Sequence, residues 1–125
     1  TDLLFFLFTR QESDAKDVPF IQDKLCQVKN YLDESYGKNI SLDELSSLFF
    51  ISKFHLSREF KRIYGITIGN YLLNKRLSAA KKQLRFTDDP VDSISNSCGF
   101  ADAGYFIKVF KKAEGMTPNQ YRKKW

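Results

Sequence analysis

Residues 60–71 and residues 110–121 state one phrase twice. The first reads Phe-Lys-Arg-Ile-Tyr-Gly-Ile-Thr-Ile-Gly-Asn-Tyr and the second Phe-Lys-Lys-Ala-Glu-Gly-Met-Thr-Pro-Asn-Gln-Tyr. Phe, Lys, Gly, Thr and Tyr recur at a fifty-residue offset without a gap, and Arg62 is matched by Lys112. An internal repeat constrains architecture strongly, because each copy has to build the same supersecondary unit. Five identities in twelve are a short match on their own, so the flanking pattern decides whether a unit is repeated.

The flanks do repeat. Phe20-Ile21, Leu25, Val28 and Tyr31-Leu32 recur at three- and four-residue steps, as on one helix face, and Gly37-Lys38-Asn39 ends that run. Ser41 with Glu44 is a capping-box signature ahead of a short helix carrying Leu42, Leu45 and Leu48. Ser52 is a natural N-cap for a second helix with core positions Leu56, Phe60 and Ile63, and Gly65 stops it. Two short helices at about 41–48 and 53–64 suit a helix-turn-helix. Thr67 then heads a longer helix to about Arg85 with apolar positions Ile68, Tyr71, Leu72, Leu77, Ala80 and Leu84. At about 30 Å, its length is close to the spacing of about 34–36 Å between successive major-groove faces on one side of a duplex. Thr87-Asp88-Asp89-Pro90 is a turn. A second short helix follows with Val91, Ile94 and Cys98, then the turn Gly99-Phe100, then Asp102 as N-cap of a helix with Phe106, Val109, Phe110 and Ala113 inward. Gly115 closes it, and Thr117-Pro118 opens a last helix through Tyr121. No β pattern of useful length competes, so the expected fold is all-α.

Charge is spread unevenly along this frame. Residues 1–51 carry five Lys/Arg against nine Asp/Glu, and residues 52–125 carry fifteen against six, within a formal net charge of +5. A basic region behind an acidic start points to a polyanion, nucleic acid first and a membrane surface second. The apolar run at residues 3–8 is too short to span a bilayer. It reads as the end of a helix from an upstream domain in preference to part of this core, and residues 10–18 read as a polar linker. Cys26 and Cys98 both lie in helical apolar patterns and read as small core residues. One His, no CxxC and isolated Gly supply no metal cluster, no nucleophile with its base and no phosphate-cradling loop, so neither an enzyme nor a cofactor is expected.

With Leu56, Phe60 and Ile63 inward, the opposite stripe of the first recognition helix holds Phe54, Ser57, Arg58, Lys61 and Arg62. Arg58 suits the O6/N7 edge of guanine, Ser57 either kind of base edge, and Phe54 a thymine methyl. Lys53, Lys61 and Arg62 suit phosphate, which positions without specifying. A solvated charged face over a core stripe is the plainer reading of this helix alone. In the second unit the corresponding stripe is Gly104, Ile107, Lys108, Lys111 and Lys112, the last two again suiting phosphate.

Gly99-Phe100, Asp102, Tyr105-Phe106, Phe110-Lys111-Lys112, Gly115, Thr117-Pro118 and Tyr121-Arg122 form a pattern that resembles the signature of AraC/XylS-type bacterial transcription regulators. Ser41-Leu42, Leu45, Leu56-Ser57-Arg58, Phe60-Lys61, Gly65, Tyr71, Arg76-Leu77 and Ala80 agree with it too, so the resemblance runs over about residues 20–122. It implies two helix-turn-helix subdomains joined by a long connecting helix, duplex DNA binding, and transcriptional control through RNA polymerase in the bacterial cytoplasm. The domains expected are 1–18 as an upstream remnant plus linker, 19–66 as the first subdomain, 67–87 as the connecting helix and 88–125 as the second subdomain. A homodimer would form through the upstream domain, and no membrane partner is expected.

Carried over by position, the family's base-reading sites fall on Phe54, Ser57 and Arg58, and on Ala103, Gly104 and Lys108. Ala103 and Gly104 lack hydrogen-bonding side chains, so the first unit is expected to supply most of the sequence readout. Ser46 and Ser95 stand where Ala is usual. His55 is open between a phosphate contact and a packing role, Arg76 is expected to cap carbonyls or form an internal salt bridge, and Arg122, Lys123 and Lys124 read as a solvated basic end. The rival function is a helical protein-interaction module without intrinsic DNA binding.

Overall fold

Every long apolar periodicity in the sequence is met by a helix. The computed structural model describes residues 12–125, with side chains from Ile21 onward, so the apolar run at residues 3–8 lies outside the described residues. The elements are α1 (Glu12–Ser35), α2 (Leu42–Phe49), α3 (Lys53–Tyr64), α4 (Ile68–Phe86), α5 (Val91–Ser97), α6 (Ala103–Glu114) and α7 (Pro118–Lys124). Among the described residues there is no strand, and the fold is all-α. Helix α1 begins inside the stretch expected to be a linker. That expectation rested on missing apolar periodicity, which reports burial and not the ability of Glu, Ala and Lys to be helical.

The chain forms two compact units. The first joins the described residues up to Leu32 with Ser41–Ile68, and the second joins Asp33–Ile40 with Gly69–Trp125. In the first, Leu25, Val28 and Leu32 of α1, Leu45 of α2, and Leu56 and Phe60 of α3 are fully buried. Their burial fixes which side of α3 faces out. Ser41 caps α2 by accepting from the Glu44 amide at 3.1 Å. The Glu44 carboxylate accepts from the Tyr31 hydroxyl at 2.8 Å, tying α2 to α1.

In the second unit Leu77, Ala80 and Leu84 of α4 pack with Ile94, Cys98, Phe100, Phe106 and Phe110. Rings run through this core in sequence: Phe100 to Phe106 at 4.8 Å, Phe106 to Phe110 at 5.7 Å and Phe110 to Tyr121 at 5.5 Å. Thr117 and Gln120 complete a reciprocal capping box at the start of α7.

Three expectations change. Cys26 is exposed, while Cys98 is buried and burial pushes its thiol pKa up. The apolar pattern of α1 placed Cys26 beside the buried face, one residue past Leu25. Ala113 is exposed, because the inward stripe of α6 ends at Phe110. Arg122 is no solvated end: its guanidinium donates to the carbonyls of Leu84 at 3.2 Å, Thr87 at 3.3 Å and Asp89 at 2.7 Å. It closes the unsatisfied C-terminus of α4. Arg76 caps carbonyls as expected, donating to Tyr36 at 2.7 Å and Lys38 at 2.8 Å, and partial burial lowers its pKa.

The repeat is also wider than its twelve-residue phrase. The buried triad Leu25, Val28 and Leu32 answers to Leu77, Ala80 and Leu84, fifty-two residues on. Ser46, Phe50 and Ile51 answer to Ser95, Gly99 and Phe100, forty-nine on: Phe50 and Gly99 are both left-handed, at φ 54° and 96°. The Ile51 amide bonds the Ser46 carbonyl at 3.2 Å just as Phe100 bonds Ser95 at 3.0 Å. From the N-caps Ser52 and Asp102 onward the offset becomes fifty. The second turn therefore holds one residue more than the first, and the α4–α5 connection is shorter than the α1–α2 connection, which together hide the upstream repeat from any ungapped comparison.

Candidate nucleic-acid interface

Helix α3 is fixed at both ends. Ser52 accepts from the His55 amide at 3.2 Å, and Gly65 at φ 74° ends the helix with its amide on the Lys61 carbonyl at 2.8 Å. With Leu56 and Phe60 fully buried, Phe54 stands 82% exposed at the N-terminal turn, so a large apolar ring meets water in the free chain. Arg58 is exposed, and Ser57 and His55 are half-buried at the edge of the same face. The structure thus brings Phe54, Ser57 and Arg58 to the accessible first half of the helix.

Two cations expected to hold phosphate are already paired. Lys53 Nζ lies 2.8 Å from Asp43 Oδ1 at the start of α2. Arg62 donates through Nε at 2.9 Å and through a terminal nitrogen at 2.5 Å to Glu59 Oε1. Glu59 Oε2 lies 4.0 Å from Arg58 Nε. The hydrogen bonds from Arg62 hold the Glu59 carboxyl below its ordinary pKa. Lys61 is exposed beside them.

Helix α6 is capped by charge. Asp102 accepts from the Gly104 amide at 3.2 Å and the Tyr105 amide at 3.3 Å. Gly115 at φ 78° ends the helix as Gly65 ends α3. Phe106 and Phe110 are fully buried, which leaves Gly104, Lys108, Lys111 and Lys112 exposed and Ala103 half-buried. The one acid of α6, Glu114, faces Lys81 at 3.2 Å near the far end of the helix.

Sequence reasoning passed over three features of these surfaces. Tyr105 is half-exposed, three residues before Lys108 and seven before Lys112, so the 3-4 spacing does place it on that face. Glu59 was not weighed, although its i, i+3 spacing to Arg62 is an ion-pair signal. Phe50, in the turn before α3, is 86% exposed, and nothing in its local pattern distinguishes it from a core aromatic.

Among the described residues no cluster of His, Cys, Asp and Glu is fit to hold a metal ion, and no helix is long and apolar enough to cross a membrane. The surfaces offered are two capped helices with basic, polar and aromatic outer faces.

A family model described as a helix-turn-helix domain matches residues 45–124. The bifunctional transcriptional activator/DNA repair enzyme AdaA of Bacillus subtilis is 37% identical over 95 residues, covering 76% of this chain and 45% of that protein. This chain therefore spans less than half the length of that curated relative, and the similarity covers only part of it. Among solved structures, the C-terminal domain of the two-component response regulator yesN from Fusobacterium nucleatum is 39% identical with a TM-score of 0.74, over 77% of this chain and 94% of that one. A Chromobacterium violaceum transcriptional regulator described by its AraC-type DNA-binding domain is 25% identical with a TM-score of 0.74, over 84% of this chain and 94% of that one.

Proposed function

This chain belongs to the AraC/XylS-type helix-turn-helix family, and from that premise we propose that it binds duplex DNA sequence-specifically to regulate transcription. One observation carries the reading: two N-capped second helices, α3 and α6, each expose a polar and basic outer face while burying the opposite one. A capped helix with accessible early residues is what a major groove admits. The relatives described as transcriptional activator and as AraC-type DNA-binding domain support it.

In this reading residues 19–66 and 88–125 are the two DNA-reading subdomains, residues 67–87 connect them, and residues 1–18 lead from an upstream domain. The two helices read successive major-groove segments. Arg58 pairs with a guanine edge, Ser57 bonds a neighbouring base, and Phe54 covers a thymine methyl. From α6, Lys108 reaches a base edge, while Ala103 and Gly104 let the helix approach closely and sense shape. Lys53, His55, Lys61, Lys111 and Lys112 meet phosphates, with Lys53 exchanging Asp43 for the duplex. Arg62 lies in the same row with its guanidinium held by Glu59. The protein acts in the bacterial cytoplasm, catalyses nothing through this domain, contacts RNA polymerase and dimerises through the upstream domain.

Binding-site selection on random duplex DNA tests this. The expected product is a bipartite motif with centres about one helical turn apart, and affinity should fall steeply with salt. A flat salt response, or no duplex binding at low salt, would replace this reading with a protein-interaction module.

A further inference from the structure

Glu59 is the one acid in the twelve residues of α3, and it lies between that helix's two arginines. Its carboxylate is mostly covered, at 16% side-chain exposure, whereas Arg58 and Arg62 are 68% and 54% exposed. One oxygen takes both Arg62 hydrogen bonds and the other faces Arg58 at 4.0 Å. The fifty-residue equivalent in α6 is Val109, so the second recognition helix has no such device.

We propose that Glu59 is a positioning residue that sets the discrimination of α3, by withholding Arg62 from phosphate and orienting Arg58 toward a base edge. The inference rests on the DNA-binding reading above.

Binding to random DNA is almost wholly phosphate contact, so each cation removed from that pool lowers it. Glu59 removes Arg62. A selected sequence draws in addition on the base contact of Arg58, whose guanidinium gains from being directed before the duplex arrives. The carboxylate therefore subtracts from random binding and adds to the specific term. Lys111 and Lys112 on α6 have no acid beside them in the row with Lys108, and they supply the undirected attraction.

The test is Glu59→Gln, which keeps length and shape and removes the charge. For a random-sequence duplex at about 0.1 M salt, affinity should rise about fivefold to tenfold and the salt slope should steepen by about one ion. Affinity for the selected duplex should change less, so the ratio between the two falls. Glu59→Gln combined with Arg62→Gln should return the slope to that of the parent chain. An unchanged slope and random-duplex affinity in the single variant would overturn the inference. So would a steep slope that survives in the double variant, because the new contact would then not be Arg62. A second measurement needs no substitution: the Arg62 Nε proton of the nitrogen-labelled chain should keep its chemical shift when random duplex is added, and a shift to a new position would show that the guanidinium has left Glu59 and would overturn the inference. Absence of duplex binding by the parent chain would remove the DNA reading and this inference together, whereas normal parent binding with an unmoved Gln variant removes the inference alone.

Discussion

The two recognition helices are reached through turns that solve one backbone problem with different residues. Both turns carry a left-handed residue between the two helices, Phe50 at φ 54° in the first and Gly99 at φ 96° in the second. Phe50 projects a ring that is 86% exposed, so its Cβ has room and its strain is confined to the backbone. Gly99 has no room. A Cβ there would lie 2.6 Å from the Tyr36 carbonyl oxygen, 2.8 Å from Arg76 Nε and 3.1 Å from Gly37 Cα. The difference shows why only one turn requires glycine: the second is pressed against the chain that follows α1, and Arg76 pins that chain in place. The helices differ in the same sense. Helix α3 carries Lys53 and Arg62 in ion pairs on a face with several reading groups, and α6 carries exposed lysines over a plain first turn.

The largest expected effect falls on that contrast. Gly99→Ala should destabilise the second unit by about 3 kcal/mol, because it joins a left-handed penalty to a collision with backbone atoms. Thermal or urea unfolding measures it. A loss under about 1 kcal/mol would mean that the segment from Tyr36 to Lys38 moves away freely, and that Arg76 does not pin it.

Next come the reading groups. Arg58→Ala should cost about 1–3 kcal/mol on the selected site and relax preference at one base pair. Lys112→Ala should instead weaken selected and random duplexes by similar factors, because that lysine meets phosphate. Competition binding across single-base variants of the site distinguishes the two. Equal loss on random DNA for Arg58→Ala would make Arg58 a phosphate contact and erase the contrast between the helices.

How far the sequence disclosed all this follows from what each signal reports. Caps and stops are local, so Ser52, Asp102, Thr117, Gly65 and Gly115 could be read directly and act as read, while at Ser41 only half of the expected capping box forms because the Glu44 carboxylate takes the Tyr31 hydroxyl. Core stripes were legible where they were long, as at Leu77, Ala80 and Leu84, and failed at their edges, as at Cys26 and Ala113. Arg122 looked like one of three basic residues at a loose end, because the carbonyls it caps come from 33 to 38 residues away. The upstream half of the repeat was masked by connections of unequal length, both in the turn and between α4 and α5. The outer faces of α3 and α6 followed from their buried residues, but which cations are paired depended on side-chain geometry that spacing only permits.

The helix caps give a smaller effect. Asp102→Ala removes two hydrogen bonds and a negative charge from the N-terminus of α6, and should cost about 1–2 kcal/mol. Ser52→Ala removes one bond from a neutral cap and should cost about 1 kcal/mol. Asp102→Asn sharpens the comparison, since it keeps an acceptor and removes the charge. It should leave the melting temperature nearly unchanged and tighten binding to random duplex, because the carboxylate stands where a helix N-terminus would otherwise attract phosphate. Unaltered binding by Asp102→Asn would place that end of α6 away from the DNA backbone.

The smallest effect returns to the first turn, where the sign is the informative part. A left-handed conformation costs an L-residue about 1–2 kcal/mol, and glycine escapes that penalty while adding about 0.5–1 kcal/mol of backbone entropy to the unfolded chain. Phe50 is almost wholly exposed, so Phe50→Gly forfeits little burial. The balance leaves the variant more stable by about 0.5 kcal/mol, a rise in the denaturation midpoint at constant slope. Its backbone carbonyl, which accepts from Lys24 at 3.2 Å, is kept by the substitution. Should Phe50→Gly destabilise the chain by 1 kcal/mol or more, the ring must be covered in solution, and the contrast between an open first turn and a crowded second one would fail.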